Sequence, residues 1–325
     1  MACILSKLVV VLVILAVHAA CDSSGLDPNF YVNKCPTALE IVKSGVEKAV
    51  ANEARMAASL LRLHFHDCFV QGCDGSVLLD DNATFTGEKT AVPNNNSLRG
   101  FEVVDDIKTQ LEKACPLTVS CADILAIAAR DSVVLSGGQW WTVQLGRRDS
   151  RSASLSGANQ DLPAPNSTLQ TLITKFKLQG LNQVDLVVLS GGHTIGMSRC
   201  VSFRQRLYGL NGDANPQNID NNYLANLKSG CPSSGGDSNL SPLDDVTPTK
   251  FDNHYLKNVQ SLKGLLISDQ ILYTKGQSTK NIVDYYAGDE LLFMKQFAES
   301  MVKMGSIKPR TGSHGEIRQN CRRMN

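Results

Sequence analysis

The sequence has almost no charge imbalance, few aromatic residues and no long apolar run beyond its N-terminus. Thirty-two lysines and arginines face thirty-one aspartates and glutamates, for a formal net charge of +1. No basic excess is present to bind phosphate backbones, which argues against nucleic acid as a partner. Aromatic residues make up 6% of the chain and its mean hydropathy is -0.11, values typical of a soluble protein without a membrane span. No internal repeat or low-complexity tract is present.

What is present is enough for a folded core. The 325 residues, 42% hydrophobic and 19% charged, suffice for one large or two ordinary domains and exclude global disorder. The single apolar run is Leu8–Val17, about half of a membrane span, and it predicts a secretory signal peptide over 1–24. Cleavage anywhere in 19–25 removes Cys3 and leaves the fate of Cys21 open.

The remaining cysteines are even in number: Cys35, Cys68, Cys73, Cys115, Cys121, Cys200, Cys231 and Cys321. In an oxidising route they predict four disulfides, although eight cysteines permit about 105 pairings. The chain also has four N-glycosylation sequons, at Asn82, Asn95, Asn166 and Asn239. Both features indicate a secreted glycoprotein.

Helical periodicity dominates the rest of the chain. One apolar stripe predicts an amphipathic helix and consists of Phe101, Val104, Ile107 and Leu111. A second helix is expected to begin with a capping box at Ser120 and to stop at Gly137–Gly138. A third ends at Gly305 and carries Phe293, Phe297, Met301 and Met304 on one face. The stretches Leu162–Thr168 and Cys231–Ser241 read as loops. We therefore expect a predominantly α-helical protein in two lobes.

Two histidine segments carry the candidate chemistry. Arg62 and His66 stand four residues apart and share one helix face, whereas His64 points elsewhere. Such a pair suits proton transfer with charge stabilisation, although a surface helix could carry the same pair. His193 follows an apolar run and two glycines, which let a planar group approach the backbone, so an axial haem ligand suits it. A hydrogen-bonded core histidine is the alternative for His193.

Taken together, these motifs resemble the class III (secretory) plant peroxidase family over residues 26–325. The segments that carry the resemblance run in the family's order: Arg62–Cys68, Gly72–Ser76, Ser120–Asp123, Leu145–Asp149, Leu162–Pro165, Ser190–Thr194, Phe251–Asn253, Ser268–Gln270 and Asn320–Arg322. The resemblance implies an all-α, two-lobed fold with haem b between a distal lobe, about 25–165, and a proximal lobe, about 166–325. It also implies the reduction of hydrogen peroxide to water with one-electron oxidation of small phenolic donors.

The resemblance assigns a role to each matching residue. His193 is the implied iron ligand, and Asp269 accepts its Nδ1 proton. His66 is the implied distal base, Arg62 stabilises developing negative charge, and Asn94 fixes the tautomer of His66. Phe65 matches the aromatic residue that shields the reacting oxygen from large substrates. Pro163 matches the proline whose carbonyl receives a phenol's proton. The entrance departs from relatives that carry phenylalanines, because Val92, Asn166 and Ser202 stand there.

Two calcium sites are implied, and the spacing of oxygen-bearing residues supports both. The first consists of Asp67, Asp74 and Ser76, the carbonyls of Val70 and Gly72, and Glu88 through water. The second consists of Thr194, Asp244, Thr247, Asp252 and the carbonyl of Lys250. Without the resemblance, Asp74–Gly75 reads as a plain turn and Asp244–Asp245 as a solvated acidic pair.

The resemblance further implies the disulfides Cys35–Cys115, Cys68–Cys73, Cys121–Cys321 and Cys200–Cys231, a monomer, and secretion to the cell wall or apoplast. Two other functions fit these residues less well. A secreted binding protein without haem would have no use for Arg62, His66, His193 and Asp269 together. A zinc enzyme using His64, His66 and Asp67 fails because residues two apart on a helix point to different sides.

Overall fold

The computed structural model describes residues 25–209 and 218–325. The predicted signal peptide, with Cys3 and Cys21, lies outside these ranges. Within them, no helix is both long and apolar enough to cross a membrane.

The described chain is predominantly helical, which confirms the predicted class. The first helices are α1 (Ala38–Asn52), α2 (Met56–Phe69), α3 (Phe101–Ala114), α4 (Cys121–Leu135), α5 (Leu155–Asp161) and α6 (Leu169–Leu178). The later ones are α7 (Gln183–Ser190), α8 (Cys200–Tyr208), α9 (Asn221–Gly230), α10 (His254–Gln260), α11 (Ile267–Thr274), α12 (Gln277–Ala287) and α13 (Glu290–Gly305). Short 3₁₀ turns span Ser76–Leu78 and Gly191–Thr194.

One small antiparallel sheet joins β1 (Met197–Arg199) to β2 (Leu240–Pro242), with Ser198 opposite Ser241. The predicted loop 162–168 is confirmed. The predicted loop 231–241 is wrong at its end, because Leu240 and Ser241 belong to β2. A single strand of three residues gives too short an alternation for a sequence pattern to reveal.

The predicted helix ends agree with the structure in position, but two of their reasons differ. Ser120 accepts a hydrogen bond from the Asp123 backbone at 3.1 Å, yet the Asp123 carboxylate turns to Tyr31 and Arg147 and does not return the bond. The reciprocal half of the capping box is therefore wrong. Helix α13 does end at Gly305, which is not left-handed. A Cβ there would lie 3.1 Å from Arg147 Nη2, so close packing explains this glycine.

A continuous core runs through most of the described helices, with α2 packed against α4 and α4 against α1. The predicted stripes face this core: Val104, Ile107 and Leu111 are buried, as are all four named residues of α13. Phe101 is half-buried beneath Lys89 and Arg322. A smaller cluster lies between α8 and α9. The lobe boundary near residue 165 stays a prediction.

Covalent and ionic contacts tie the C-terminus to the region around α2. The described residues contain four disulfides, the pairs that the resemblance implies: Cys35–Cys115, Cys68–Cys73, Cys121–Cys321 and Cys200–Cys231. Arg147 is buried and donates to Asp123 Oδ1 at 2.7 Å and to the Gly305 carbonyl at 2.6 and 3.0 Å. These contacts fix the end of α13 against the elements that surround α2.

Candidate functional site

Helix α2 brings Arg62 and His66 together on one face, as their spacing predicts. Arg62 Nε lies 3.1 Å from His66 Nε2. Because an arginine can only donate, Nε2 accepts this bond and holds a lone pair. His66 is buried, so its nitrogen is a base in a dry environment.

Asn94 holds the other ring nitrogen of His66. Its Oδ1 lies 2.6 Å from His66 Nδ1, and its Nδ2 donates to the Glu88 carbonyl at 2.8 Å. This second bond orients the amide, so Nδ1 carries the proton and Nε2 does not. Burial, together with the charge of Arg62, holds the pKa of His66 well below its ordinary value. The histidine therefore stays neutral near pH 7.

Arg62 is fixed from the opposite side by the turn 93–97, which contains Asn94. Its guanidinium donates to the carbonyls of Pro93 and Ser97 at 3.0 Å each, and to Ser97 Oγ at 3.1 Å. Burial, with Arg55 nearby, lowers the pKa of Arg62 to about 10. It remains charged near pH 7 and is a preorganised cation beside the base.

His64 lies away from this pair. Its Nδ1 is 3.6 Å from Cys68 Sγ, and its ring is buried near Arg147. Burial, with the charge of Arg147, lowers the pKa of His64 to about 3. Among the described residues, His64, Cys68 and Cys73 bring metal-ligating atoms together, but both cysteines are in a disulfide. His64, His66 and Asp67 do not form such a group.

His193 sits in the 3₁₀ turn Gly191–Thr194, directly after α7. Its Nδ1 lies 2.8 Å from Asp269 Oδ1. The same carboxylate oxygen accepts from Tyr255 Oη at 3.1 Å, while Asp269 Oδ2 accepts from the Leu266 backbone at 2.9 Å. Burial, with the adjacent Asp269, holds the pKa of Tyr255 well above its ordinary value. Sequence reasoning missed Tyr255, whose one signal is its position just after Phe251–Asn253.

The turn that holds His193 faces the helix that holds Arg62 and His66. A Cβ at Gly192 would lie 3.6 Å from Leu61 of α2, and one at Gly196 only 2.7 Å from Ala58. The His193 side chain is 38% exposed although Asp269 is buried. Within 25–209 and 218–325, its Nε2 makes no hydrogen bond. A free imidazole nitrogen opposite a base and a cation fits the axial side of a haem site.

Phe65 lies beside this face. Its ring is half-buried and meets those of His66 and Phe69 edge-on at 5.1 and 4.6 Å between centroids. The aromatic edge therefore borders the space next to the distal base.

The first predicted calcium set comes together in the buried loop after α2. Asp67 and Asp74 are fully buried, and Gly72 turns the loop with φ +110°, where a Cβ would meet the Lys308 carbonyl at 2.5 Å. Ser76 Oγ and Glu88 Oε2 are buried without a hydrogen-bond partner among the described residues. Buried, unpaired oxygens beside carboxylates fit a hard cation.

The pKa shifts of the carboxylates in this loop also indicate a cation site. Burial, with Asp74 and Glu88 close by, holds the pKa of Asp67 well above its ordinary value. Burial raises the pKa of Glu88 to about 7, and Asp74 adds to this effect. Arg310 Nε, 2.9 Å from Asp74 Oδ2, is the one cation paired with these carboxylates in the described chain. The carbonyls of Val70 and Gly72 belong to the same buried turn.

The second predicted set also comes together. Thr194 Oγ1 lies 3.3 Å from Asp244 Oδ2 and 3.2 Å from Asp252 Oδ1, and Thr247 Oγ1 contacts the same two oxygens. Both aspartates are fully buried, and Asp252 Oδ2 makes no hydrogen bond to any described residue. The exposed Lys250 has its Nζ 3.4 Å from that oxygen. The oxygen donors thus fit a cation next to His193.

The predicted donor entrance lies on neighbouring loops. The Val92 backbone donates to Asn159 Oδ1 at 2.8 Å, and Asn166 Nδ2 lies 3.5 Å from Gln205 Oε1 on α8, the helix that carries Ser202. Pro163 lies between Asn159 and Asn166 in the sequence and is half-buried. Val92 is 86% exposed, so this side presents aliphatic and amide groups. The sequon residues Asn82, Asn95, Asn166 and Asn239 are all exposed.

The sequence is similar to those of known peroxidases. The sequence model of the family described as Peroxidase matches residues 42–289. Peroxidase 49 of Arabidopsis thaliana is 57% identical over 309 residues, 94% of this chain and 93% of its own. Peroxidase 9 of Arabidopsis thaliana is 59% identical over 304 residues, 93% of this chain and 88% of its own. Peroxidase 4 of Vitis vinifera is 56% identical over 322 residues, 98% of each chain.

Proposed function

This chain belongs to the class III plant peroxidase family and is a peroxidase, and we propose that Arg62, His66, His193 and Asp269 carry its chemistry on haem b. One hydrogen peroxide takes two electrons and two protons from two phenols. The products are two water molecules and two phenoxyl radicals.

His66 is the general base and then the general acid. Its unprotonated Nε2 takes a proton from the first oxygen of peroxide and returns it to the second oxygen, which leaves as water when the O–O bond breaks. Asn94 keeps the proton on Nδ1 through the 2.6 Å contact, so Nε2 is available before peroxide enters. The 2.6 Å contact between Asn94 Oδ1 and His66 Nδ1, from which this tautomer is inferred, is the observation that carries the proposal.

Arg62 stabilises the negative charge that develops on peroxide during proton transfer. Its guanidinium is already held by the turn 93–97 and needs no reorganisation when the charge appears. Peroxide replaces the present Arg62–His66 hydrogen bond with bonds of its own to both side chains. Phe65, at the edge of this space, excludes larger donors from it.

On the opposite side, His193 Nε2 would hold the haem iron. Bound haem supplies the site that receives peroxide and stores the two oxidising equivalents. Asp269 accepts the Nδ1 hydrogen bond and makes the imidazole a stronger electron donor. Both features are available in the structure: the free Nε2 and the buried carboxylate behind it.

Two calcium ions would stabilise the backbone of the site. Asp67 follows His66 directly and Thr194 follows His193 directly, so each ion would fix the backbone beside one functional histidine. The buried oxygens of Ser76 and Glu88, which have no hydrogen-bond partner among the described residues, and the buried carboxylate of Asp252 support this proposal. Metal analysis of purified protein should give two calcium ions per chain. One or none would contradict the pair of sites.

The disulfides and the exposed sequons also bear on where the protein acts. We propose that the mature chain is a secreted, glycosylated monomer that acts on small phenols in the cell wall or apoplast. Four disulfides fit an oxidising compartment. A phenol would approach the Pro163 side and transfer its proton there. The aliphatic and amide surroundings at Val92 and Asn166 favour compact donors over extended aromatic ones.

Rapid mixing of the haem-loaded protein with peroxide tests these roles. We expect His66→Leu to lower the second-order rate constant by roughly 10²- to 10⁴-fold and Arg62→Leu by roughly 10²- to 10³-fold. His314→Leu removes an exposed histidine and serves as the control. A rate in His66→Leu equal to that of His314→Leu would refute the assigned base.

A further inference from the structure

Tyr255 donates a hydrogen bond to the same Asp269 oxygen that contacts His193. It can therefore affect how strongly His193 donates electrons to a bound iron. We propose that Tyr255 is a positioning residue that limits how strongly Asp269 draws on the His193 Nδ1 proton. The inference rests on the proposed function, since it takes His193 as the haem ligand.

The contacts around Asp269 carry the argument. Its Oδ1 accepts from His193 at 2.8 Å and from the Tyr255 hydroxyl at 3.1 Å, and its Oδ2 is occupied by the Leu266 backbone at 2.9 Å. Asp269 and Tyr255 are each 1% exposed, so solvent has little access to replace these donors. Two donors therefore compete at the one oxygen that faces the ligand.

The physical effect has a definite sign. A hydrogen bond to a carboxylate stabilises its negative charge and lowers its basicity. With the Tyr255 hydroxyl bonded to it, Asp269 attracts the His193 Nδ1 proton less strongly. His193 therefore has less imidazolate character than it would have with Asp269 alone. The Tyr255 ring also meets the His193 ring edge-on, at 6.0 Å and 82°, so it limits rotation of the imidazole.

The placement of Tyr255 in the chain is suited to this task. It lies in the first turn of α10, three residues after Asp252, and α10 packs against the 3₁₀ turn that holds His193. The Tyr255 hydroxyl and the Asp269 carboxylate therefore come from two different helices, α10 and α11.

The test is Tyr255→Phe in the haem-loaded protein, which removes one hydroxyl and keeps the ring. Tyr223→Phe is a matched control, because Tyr223 is also buried and its hydroxyl makes no hydrogen bond to the described residues. Two quantities are measured: the iron–histidine stretching frequency of the ferrous protein by resonance Raman, and the ferric–ferrous midpoint potential. Both report on the ligand without requiring turnover.

We expect Tyr255→Phe to raise the stretching frequency and lower the potential, whereas Tyr223→Phe leaves both at the wild-type values. In an Asp269→Asn background the same Tyr255→Phe change should have little further effect, because the shared carboxylate is gone. Unchanged frequency and potential in Tyr255→Phe would overturn the inference. An equal shift in the Asp269→Asn background would also overturn it, since Tyr255 would then act by another route.

The wild-type spectrum separates this inference from the proposed function. If wild-type protein binds haem but shows no iron–histidine band, and His193→Ala leaves the haem spectrum unchanged, ligation by His193 fails and both proposals fall. If the band is present and Tyr255→Phe does not move it, only the role of Tyr255 fails.

Discussion

Asn94 offers a sharp test of how the site prepares His66. Asn94→Ala removes the acceptor of the 2.6 Å bond from His66 Nδ1 and leaves a buried N–H group without a partner. Such a loss costs about 1–3 kcal/mol. If that cost falls on the base-competent tautomer, the rate constant for reaction with peroxide should drop roughly 5- to 150-fold.

The assay is rapid mixing of haem-loaded protein with peroxide, followed at the Soret band. Asn95→Ala, one residue along and exposed, is the matched control and should react at the wild-type rate. Equal haem content in the three proteins shows that the comparison concerns the distal base alone. A rate for Asn94→Ala within twofold of wild type would refute the reasoning about the tautomer.

Three further predictions follow from other parts of the site and core. The peroxide rate constant should stay level as the pH falls through 6.5, the ordinary pKa of a histidine, because burial and Arg62 hold the pKa of His66 well below that value. A decline with its midpoint near 6.5 would contradict this. Prolonged chelation of calcium should lower activity and perturb the haem spectrum. It should also lower the midpoint of thermal unfolding by roughly 5 °C or more, since Asp67 and its buried neighbours then lack a cation. An unchanged spectrum in calcium-free protein would contradict this prediction. Denaturant titration should show that Arg147→Met costs about 3–5 kcal/mol, because Asp123 is left buried and unpaired. Lys43→Met, at the exposed pair with Glu47, should cost less than about 1 kcal/mol.

Local signals predicted much of the architecture. The apolar stripe of α3, the start of α4 at Ser120 and the end of α13 at Gly305 all agree with the structure. These features depend on periodicity and on residues within one turn of each other, so the sequence displays them directly. Spacing also predicted that Arg62 and His66 share a face.

Contacts between distant segments were beyond local reasoning. The Arg62 guanidinium meets Ser97, 35 residues away, and Arg147 meets Gly305, 158 residues away. The same limit explains why Asp123 turned from the capping box to Arg147, and why Tyr255 was missed. Such pairings depend on how helices pack, and no periodicity encodes them. The resemblance to a family supplied His193 with Asp269, which spacing alone could not.

The proposed function depends most on the visible absorption spectrum of the purified protein, recorded before and after hydrogen peroxide and then guaiacol. We expect a ferric Soret band that shifts with peroxide and returns with the phenol, which would establish haem, the peroxide step and donor oxidation in one titration. A Soret band that does not respond to peroxide would contradict the roles of Arg62 and His66. No Soret band in folded protein supplied with haem and calcium would contradict the haem site itself.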